Sequence, residues 1–435
     1  MKKSIYFFGM FFLMLFAMSC NKNNDNTGVI SEEAVITSFY LYSDSIEGIS
    51  NYEFIIDNDS LLIYNYDSID YGTRIDSLSF VINPRFSSVY INDTLDYYAL
   101  SEVYLNFTNE VKFTVVAADE KTSADYFVKV NVHQVDPDTF IWQGLKSEVF
   151  AGYATTEKVL WINDRLLYFA IVNNDLLVHE SVDGIEWNAL EVTGLDIDFS
   201  SLDLNYLVGY ENFVCFYYDS ELYKSADGAT WTSEVITGIA VEHLLFAMGG
   251  KIYGVTADFG LARLDGTDWV DLGRLPSDFP VEGAAVLMAK APSGKERVFA
   301  IGGIDRNGKY LSSVWSSENG DYWSDLSGGK EQFTPRAYAA VAQYGGGLML
   351  FGGVAEGGEM VVDDAQLFSK DFGLNWGEPK AKSVISDLYV PRYGLSAVVV
   401  PTGYIYLIGG KSSSSRSNND VWQGLNYASL PGFRR

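Results

Sequence analysis

A tryptophan-ended turn recurs five times between residues 181 and 376, and this repeat constrains the fold more than any other feature of the sequence. Each copy carries an acidic residue or Asn, then Gly, then Trp, and the tryptophans are Trp187, Trp231, Trp269, Trp323 and Trp376. They are separated by 44, 38, 54 and 53 residues, the length of one four-stranded β-propeller blade. Because one blade alone leaves the faces of its sheet exposed, such units must close into a ring. The repeat therefore predicts a β-propeller.

The composition favours an all-β protein with more than one domain. At 435 residues the chain exceeds the size of a single hydrophobic core. Its 29 Tyr, 27 Phe and 40 Gly, with only 10 Pro, are typical of many short strands joined by tight turns. A formal charge of -27, with no cluster of Lys or Arg, repels phosphate backbones. We therefore expect no nucleic-acid partner.

Residues 1–19 predict a signal peptide, because two lysines precede an apolar run that is too short to span a bilayer. The run ends at Ala17-Met18-Ser19-Cys20, which resembles the bacterial lipobox. That resemblance implies that Cys20 is lipidated and anchors the protein in a membrane, with residues 20–30 as a flexible tether. The tether loosely resembles the export signal of Bacteroidetes surface lipoproteins, so we expect an outer-membrane protein exposed at the cell surface. An ordinary secretory signal is the alternative.

Residues 31–136 lack the tryptophan turn and alternate apolar and polar positions in short runs, as half-buried strands do. The pattern predicts seven strands, at residues 38–42, 52–56, 61–64, 78–82, 103–107, 111–115 and 126–132. This number and spacing predict an Ig-like β-sandwich. The missing pair of cysteines and the missing core tryptophan argue against an antibody-type domain.

Residues 138–435 predict a six-bladed propeller. The apolar second strands of the six blades begin near Leu166, Phe213, Ile252, Val298, Leu348 and Ile405. The last three end on Gly-Gly, and Pro335-Arg336 and Pro391-Arg392 open the first strands of the last two blades. These features resemble the Kelch repeat. The tryptophan turn resembles the Asp-box of sialidases and related propellers, with a full match only at residues 369–376.

One tetrapeptide occurs at both ends of this region, as Trp142-Gln-Gly-Leu145 and Trp422-Gln-Gly-Leu425. The last blade has little chain left after its third strand. We therefore predict that residues 138–150 add a strand to the last blade, which closes the ring and removes exposed sheet edges. A chance match between aromatic strand sequences is the alternative.

The order of lipobox, tether, sandwich and Kelch-like ring resembles an uncharacterised family of Bacteroidetes lipoproteins with a domain of unknown function. The residues that carry this resemblance are 56–60, 64–68, 72–74 and 130–138. The resemblance implies no known activity.

The residues of the tryptophan turns have structural roles in our interpretation. The Asp or Asn side chain accepts hydrogen bonds from nearby amides, Gly supplies a positive φ, and Trp packs between sheets. Cys215 is expected to be a small buried core residue. The turn residues are Asp183, Trp187, Asp227, Trp231, Asp265, Trp269, Asn319, Trp323, Asp371 and Trp376.

The loops between second and third strands are the predicted ligand-binding region, because loops on a rigid scaffold commonly carry binding groups. They lengthen in the last three blades, at residues 304–310, 354–364 and 411–420. Solvated loops without a ligand are the alternative. The candidate binding residues are Asp305, Arg306, Glu356, Glu359, Asp363 and Arg416.

No catalytic set is apparent, and we expect neither a metal nor another cofactor. A sialidase needs three arginines from different blades; Arg165, Arg263, Arg297, Arg336 and Arg392 occur, but without the associated Phe-Arg-Ile-Pro opening. A copper site of the galactose-oxidase type is disfavoured by two scattered histidines and one cysteine in the ring. We therefore expect a non-enzymatic binding module for a glycan or a protein, held on the sandwich as a stalk. A glycoside-processing enzyme on a sialidase-like propeller is the alternative.

Overall fold

The computed structural model describes residues 31–84, 88–99, 103–134, 136, 139–291, 293–363, 365–379, 385, 388–413 and 416–426. The protein is all-β, and its short 3-10 helices lie at Ile49–Asn51, Tyr97–Ala99, Phe199–Ser201 and Leu204–Tyr206. The chain divides into two compact units with a boundary between Val132 and His133. Within the described residues, none of the helices has the length and hydropathy to cross a lipid bilayer. Cys20 lies outside the described residues.

The first unit contains two sheets that share one core. Their strand orders are β1-β4-β7 and β2-β3-β9-β8-β5-β6, and all neighbours are antiparallel except β3 and β9. The strands are β1 Ile36–Tyr42, β2 Phe54–Asp57, β3 Leu62–Asn65, β4 Leu78–Pro84, β5 Ser88–Ile91, β6 Leu95–Asp96, β7 Tyr104–Leu105, β8 Val111–Val116 and β9 Ser123–Lys129.

Alternation along the strands builds this core. In β8, Val111, Phe113 and Val115 are buried while the residues between them are partly exposed. Phe39 of one sheet and Phe113 of the other meet with ring centroids 6.2 Å apart. The sequence pattern did not predict β5 and β6, because β5 has only two buried apolar positions and β6 has two residues in all, too few for a periodic signal.

The second unit is built from β10 to β35. These strands are β10 Phe140–Lys146, β11 Thr156–Ile162, β12 Arg165–Val172, β13 Asp175–Ser181, β14 Asn188–Leu190, β15 Val208–Tyr210, β16 Phe213–Tyr218, β17 Glu221–Ser225, β18 Thr232–Val235, β19 Thr237–Gly238, β20 Val241–Met248, β21 Lys251–Thr256, β22 Gly260–Asp265, β23 Asp268–Arg274, β24 Ala285–Lys290, β25 Glu296–Ile301, β26 Val314–Ser317, β27 Ser324–Asp325, β28 Ala340–Tyr344, β29 Gly347–Phe351, β30 Gln366–Ser369, β31 Ser396–Val399, β32 Tyr404–Ile408, β33 Lys411–Ser413, β34 Arg416–Ser417 and β35 Val421–Asn426.

These strands form six successive sheets of three to five strands, beside the small β33–β34 pair. Sheet 1 is β11-β12-β13-β14, sheet 2 is β15-β16-β17-β18, sheet 3 is β20-β21-β22-β23-β19, sheet 4 is β24-β25-β26-β27, sheet 5 is β28-β29-β30 and sheet 6 is β31-β32-β35-β10. Each second strand that the sequence predicted lies in the interior of its sheet.

Apolar clusters join the sheets in a cycle. Each sheet packs on the next, and sheet 6 packs on sheet 1, so both faces of every sheet are covered. The residue pairs that typify the six seams are Phe169 and Phe216, Cys215 and Ile252, Phe246 and Val298, Phe299 and Leu348, Met349 and Ile405, and finally Tyr406 and Tyr168. Cys215 is fully buried, as predicted.

The N-terminal strand of the second unit completes sheet 6. β10 pairs antiparallel with β35, and Gln143 lies opposite Gln423, so the two copies of the tetrapeptide face each other in opposite directions. Trp142 is opposite Gly424, and Gly144 is opposite Trp422. The Trp422 indole lies over Gly144, 3.7 Å from where a Cβ would stand, whereas a Cβ on Gly424 would lie 2.7 Å from the Trp142 indole and compete for its space. The pairing joins chain segments about 280 residues apart.

Candidate functional site

A cavity of about 450 Å³, the channel cavity, is lined by all six sheets. Its wall consists of parts of β11, β15, β20 and β24 and of the residues just before β28 and β31. A cavity of about 410 Å³ shares Asn205, Tyr338 and Gly394 with it, and another of about 450 Å³ shares Tyr206. The three cavities therefore share parts of their walls. We call the region where they meet, Asp203, Asn205, Tyr206, Glu282 and Tyr338, the channel mouth.

In three consecutive sheets, the segment that leads into the first strand lines the mouth and has one residue in the left-handed backbone conformation. These residues are Gly283 at φ 60, Tyr338 at φ 54 and Gly394 at φ 65. The N–H of Tyr338 donates to the carbonyl of Gly283, and the N–H of Gly394 donates to the carbonyl of Tyr338, both over 2.7 Å. A tyrosine in this conformation costs about 1–2 kcal/mol where its neighbours use glycine. Strain of this kind is retained at functional sites, and in this chain Phe259 and Phe372 also adopt positive φ outside the mouth.

The side chain of Tyr338 is fixed at the mouth by an acid. Its hydroxyl donates to Oε1 of Glu282 over 2.6 Å. Burial, and then the hydrogen bond to Glu282, raise the pKa of Tyr338 above the ordinary value. The ring of Tyr393 lies 6.4 Å from that of Tyr338. Tyr338 and Glu282 together present a neutral hydroxyl, a carboxylate and an aromatic face to the cavity.

Tyr206 is the second aromatic residue of the mouth, and it stacks on His243 with centroids 3.8 Å apart and an interplanar angle of 26°. Burial raises the pKa of Tyr206 and lowers the pKa of His243 to about 4. Both rings are therefore neutral at pH 7. A stack of two neutral rings gives a flat, mostly apolar surface with polar edges.

Asp203 holds Tyr206 in place by capping the 3-10 helix Leu204–Tyr206. Its Oδ1 accepts hydrogen bonds from Thr156 Oγ1 over 2.8 Å, from the Asn205 N–H over 3.0 Å and from Asn205 Nδ2 over 2.8 Å. Because Thr156 belongs to sheet 1, the cap ties this segment to the neighbouring sheet. Polar groups of the mouth are thus held by the scaffold itself.

Lys158 of β11 is the one cationic side chain that lines the channel cavity among the described residues. Most of the neighbouring lining is apolar, including Leu160, Leu244 and Met288. Burial lowers the pKa of Lys158, and the charge of Asp203 opposes that shift. The backbone of Lys158 pairs with that of Phe169 in the sheet, but no hydrogen bond or ion pair joins its amine to any residue that the structure describes.

The six binding residues predicted from the sequence are not part of the mouth, although Ile304, next to Asp305, exchanges backbone hydrogen bonds with Glu282 of the mouth. Oδ1 of Asp305 accepts hydrogen bonds from the amides of Asn307 and Lys309, so this buried carboxylate organises its own loop. Arg306 donates to the carbonyls of Leu275 and Pro276. The other four are exposed, and none of the six lines the three cavities: Glu356, Glu359, Asp363 and Arg416. Their role in binding stays a prediction.

The tryptophan turns carry the hydrogen bonds of a compact hairpin. In the first copy, Oδ1 of Asp183 accepts from the amides of Ile185 and Glu186 over 2.8 and 3.1 Å. The Trp187 indole donates to the Gly184 carbonyl over 3.0 Å. Each tryptophan of the five copies packs into the seam between its own sheet and the preceding one. These contacts are all within the scaffold.

The five arginines considered for a sialidase site are engaged elsewhere. Arg336 and Arg392 are buried and donate to the carbonyls of Gly352 and Gly409, beneath the double glycines of their sheets. The remaining three form ion pairs: Arg165 with Glu180, Arg263 with Asp265 and Asp321, and Arg297 with Glu318. In the described part of the chain, no group of three or more His, Cys, Asp or Glu side chains is placed to hold a metal ion.

Sequence reasoning did not find the channel mouth, because its residues lie in the connections that enter the first strands and carry no motif. The signal that could have found it is the correspondence of residues 282–285, 337–340 and 393–396, in which Tyr338 replaces a glycine. A second signal is Lys158 in a strand whose neighbours are mostly apolar.

Comparison with known proteins gives two matches that together cover most of the chain. The DUF6242 beta propeller domain matches residues 136–432. The N-terminal domain of the same domain of unknown function, DUF6242, matches residues 16–130. No curated protein matches the chain.

Proposed function

This chain belongs to the DUF6242 family, and we propose that its propeller is a glycan-binding module whose site is the channel mouth. The observation that carries the proposal is the grouping of Tyr206 and Tyr338 with the carboxylates of Asp203 and Glu282. Aromatic rings pack against the apolar faces of sugar rings, and carboxylate and amide groups accept and donate hydrogen bonds to hydroxyls. The strain held at Tyr338 supports a role beyond folding.

The proposed architecture is a ring of six blades, one for each sheet, with an Ig-like first unit as a stalk. The cyclic seams and the pairing of β10 with β35 support six blades. Two packed sheets with a common core support the Ig-like proposal. The lipobox-like sequence that ends at Cys20 supports a lipid-anchored protein of the bacterial outer membrane, exposed at the cell surface. The charge of -27 keeps such a surface soluble and disfavours nucleic acid as a partner.

A glycan array on the full-length chain tests this proposal. We expect a defined class of glycans to bind, and we expect Tyr206→Ala and Tyr338→Ala each to weaken binding about tenfold, the equivalent of roughly 1.4 kcal/mol. Tyr322→Ala is the matched control, because this tyrosine is 80% exposed on a hairpin. Binding of a protein but no glycan, or equal losses in the Tyr322 control, would refute a glycan site at the mouth.

The second candidate is a glycoside-processing enzyme, which the two carboxylates at the mouth favour. Such an enzyme uses a pair of Asp or Glu side chains on either side of the scissile bond. Asp203→Asn and Glu282→Gln would then abolish hydrolysis of a bound glycan while leaving binding largely intact. A bound glycan recovered uncleaved after prolonged incubation with the wild-type chain favours the binding module instead.

A further inference from the structure

Lys158 lines the channel cavity and forms no ion pair within the described residues, although the negative charge of Asp203 acts to raise the pKa of its amine. The cavity has a volume of about 450 Å³, and Glu282, at its mouth, is the carboxylate among its lining residues. Glu282 already accepts a hydrogen bond from Tyr338. Nothing in the described residues accepts a hydrogen bond from the Lys158 amine. Within the described residues, the Lys158 amine can therefore donate its hydrogen bonds to a ligand in the cavity.

The apolar surroundings of this amine favour the binding of a negatively charged partner. A charged group among apolar side chains is unfavourable unless it is paired, and an opposite charge is attracted more strongly there than in water. Burial lowers the pKa of Lys158 for this reason. An oxyanion that enters the channel would meet the three N–H donors of the charged amine, for which the described part of the chain provides no acceptor.

The shared lining of the cavity also suits a ligand with two parts. Lys158 lies on β11 together with Thr156, which bonds Asp203 at the mouth. The amine and the aromatic rings of Tyr206 and Tyr338 line one continuous cavity. A sugar ring held at the mouth can thus place an acidic substituent in the channel.

We propose that Lys158 binds the oxyanion of an acidic sugar, a carboxylate or a sulfate, whose ring lies on Tyr206 and Tyr338. This inference rests on the proposed function and specifies its ligand class. The acidic surface of the protein opposes the approach of such a ligand, but at physiological salt charges beyond about 8 Å are largely screened. The carboxylates of Asp203 and Glu282 at the mouth repel an oxyanion, so the acidic substituent lies past them, beside the Lys158 amine.

The ordinary role of such a lysine is the competing explanation. Its four-carbon stem covers apolar surface while the amine reaches water in the channel. In that case Lys158 needs no anion, and Lys158→Met would keep both packing and ligand binding. The two explanations differ in how the amine responds to an oxyanion.

The experiment follows the Lys158 amine directly in the full-length chain. Reductive methylation with carbon-13 formaldehyde labels lysine amines, Lys158→Arg identifies the Lys158 signal, and pH titration gives its pKa. The probes are glucose, glucuronate, glucose 6-sulfate and acetate at matched concentrations. Lys224 of β17, which forms an ion pair with Glu234 of β18, is the control amine.

We expect glucuronate and glucose 6-sulfate to raise the pKa of Lys158, at concentrations well below those at which acetate acts, and we expect glucose to leave it unchanged. Lys158→Met should weaken binding of the acidic sugars about tenfold to a hundredfold, as for a hydrogen bond to a charged group, and should spare glucose. No response to any oxyanion would overturn the inference, even if glucose binds at the tyrosines. Equal responses to acetate and glucuronate would keep the oxyanion site but overturn both the acidic sugar and the glycan-binding proposal.

Discussion

Glu157 closes the seam between sheet 6 and sheet 1, and its substitution should change how stability depends on pH. In the two preceding seams, the second glycine of a double glycine donates to a backbone carbonyl: Gly303 to Arg336 over 2.7 Å and Gly353 to Arg392 over 2.9 Å. At the closing seam Gly410 donates instead to Oε1 of Glu157 over 2.8 Å. A buried side chain thus replaces the backbone acceptor.

The carboxyl of Glu157 is only 4% exposed. Burial raises its pKa to about 7 from the ordinary 4.5, although the hydrogen bonds from Tyr168 and Gly410 and the charges of Lys411 and Arg392 act in the opposite direction. The fold therefore holds a proton that the unfolded chain releases between these two values. The stability from this group is full below about pH 4.5 and is lost as the pH rises through about 7. Between pH 5 and pH 8 the loss amounts to roughly 2–3 kcal/mol.

Glu157→Gln keeps an acceptor for Gly410 and a partner for Tyr168 but cannot ionise. We expect this variant to match the wild type near pH 5 and to exceed it at pH 8 by roughly 2 kcal/mol. Glu157→Ala leaves two buried donors without acceptors and should lose roughly 3 kcal/mol at both pH values. Glu148→Gln, at an exposed position, is the control.

Urea unfolding followed by tryptophan fluorescence measures these differences, since all 9 tryptophans lie in the second unit. Equal pH dependence in the wild type and in Glu157→Gln would refute the reasoning, because the carboxyl would then be ionised in the fold. The wild type and Glu157→Gln share every other titrating group, so the difference between their slopes of unfolding free energy against pH reports on Glu157 alone.

Three further outcomes are expected. Tyr338→Gly should be more stable than Tyr338→Ala by about 1 kcal/mol in urea unfolding, because only glycine is unstrained at φ 54; an equal stability would mean that the backbone is not held in this conformation. Gly424→Ala should lose roughly 1–3 kcal/mol, since a Cβ there would lie 2.5 Å from Phe140, whereas Gly144→Ala, with its nearest contact at 3.7 Å, should be tolerated; the reverse order of melting temperatures would contradict the facing arrangement of the tetrapeptides. His243→Phe should remove a loss of stability that develops as the pH falls from 6.5 towards about 4, because a buried imidazole with a lowered pKa resists protonation; an unchanged acid limb of the pH profile would show that His243 does not cause it.

Much of the second unit could be predicted because its repeat is strong and regular. The turn tryptophans recur once in each of sheets 1 to 5 and the apolar second strands once in each of the six sheets, and a repeated tetrapeptide identified the partner strand for the last sheet. Each of these signals reflects a packing contact that recurs from sheet to sheet, so the same sequence pattern recurs along the chain. The first unit has no such repeat, which is why β5 and β6 escaped detection.

The candidate site could not be predicted in the same way. The search turned to the long loops after the double glycines, where polar residues are dense, but Asp305 and Arg306 bond their own surroundings. The mouth depends instead on residues that break the repeat, such as Tyr338 in place of a glycine. Which departures from a repeat converge in space is decided by closure of the ring, and sequence spacing alone does not give that.

The most direct test of the account is a crystal structure of the full-length chain grown with an acidic oligosaccharide. We expect a sugar ring on Tyr206 and Tyr338, with its carboxylate or sulfate within hydrogen-bond distance of Lys158 Nζ. Ordered sugar on the loops that carry Glu356 and Arg416, with the channel mouth occupied by water alone, would contradict it.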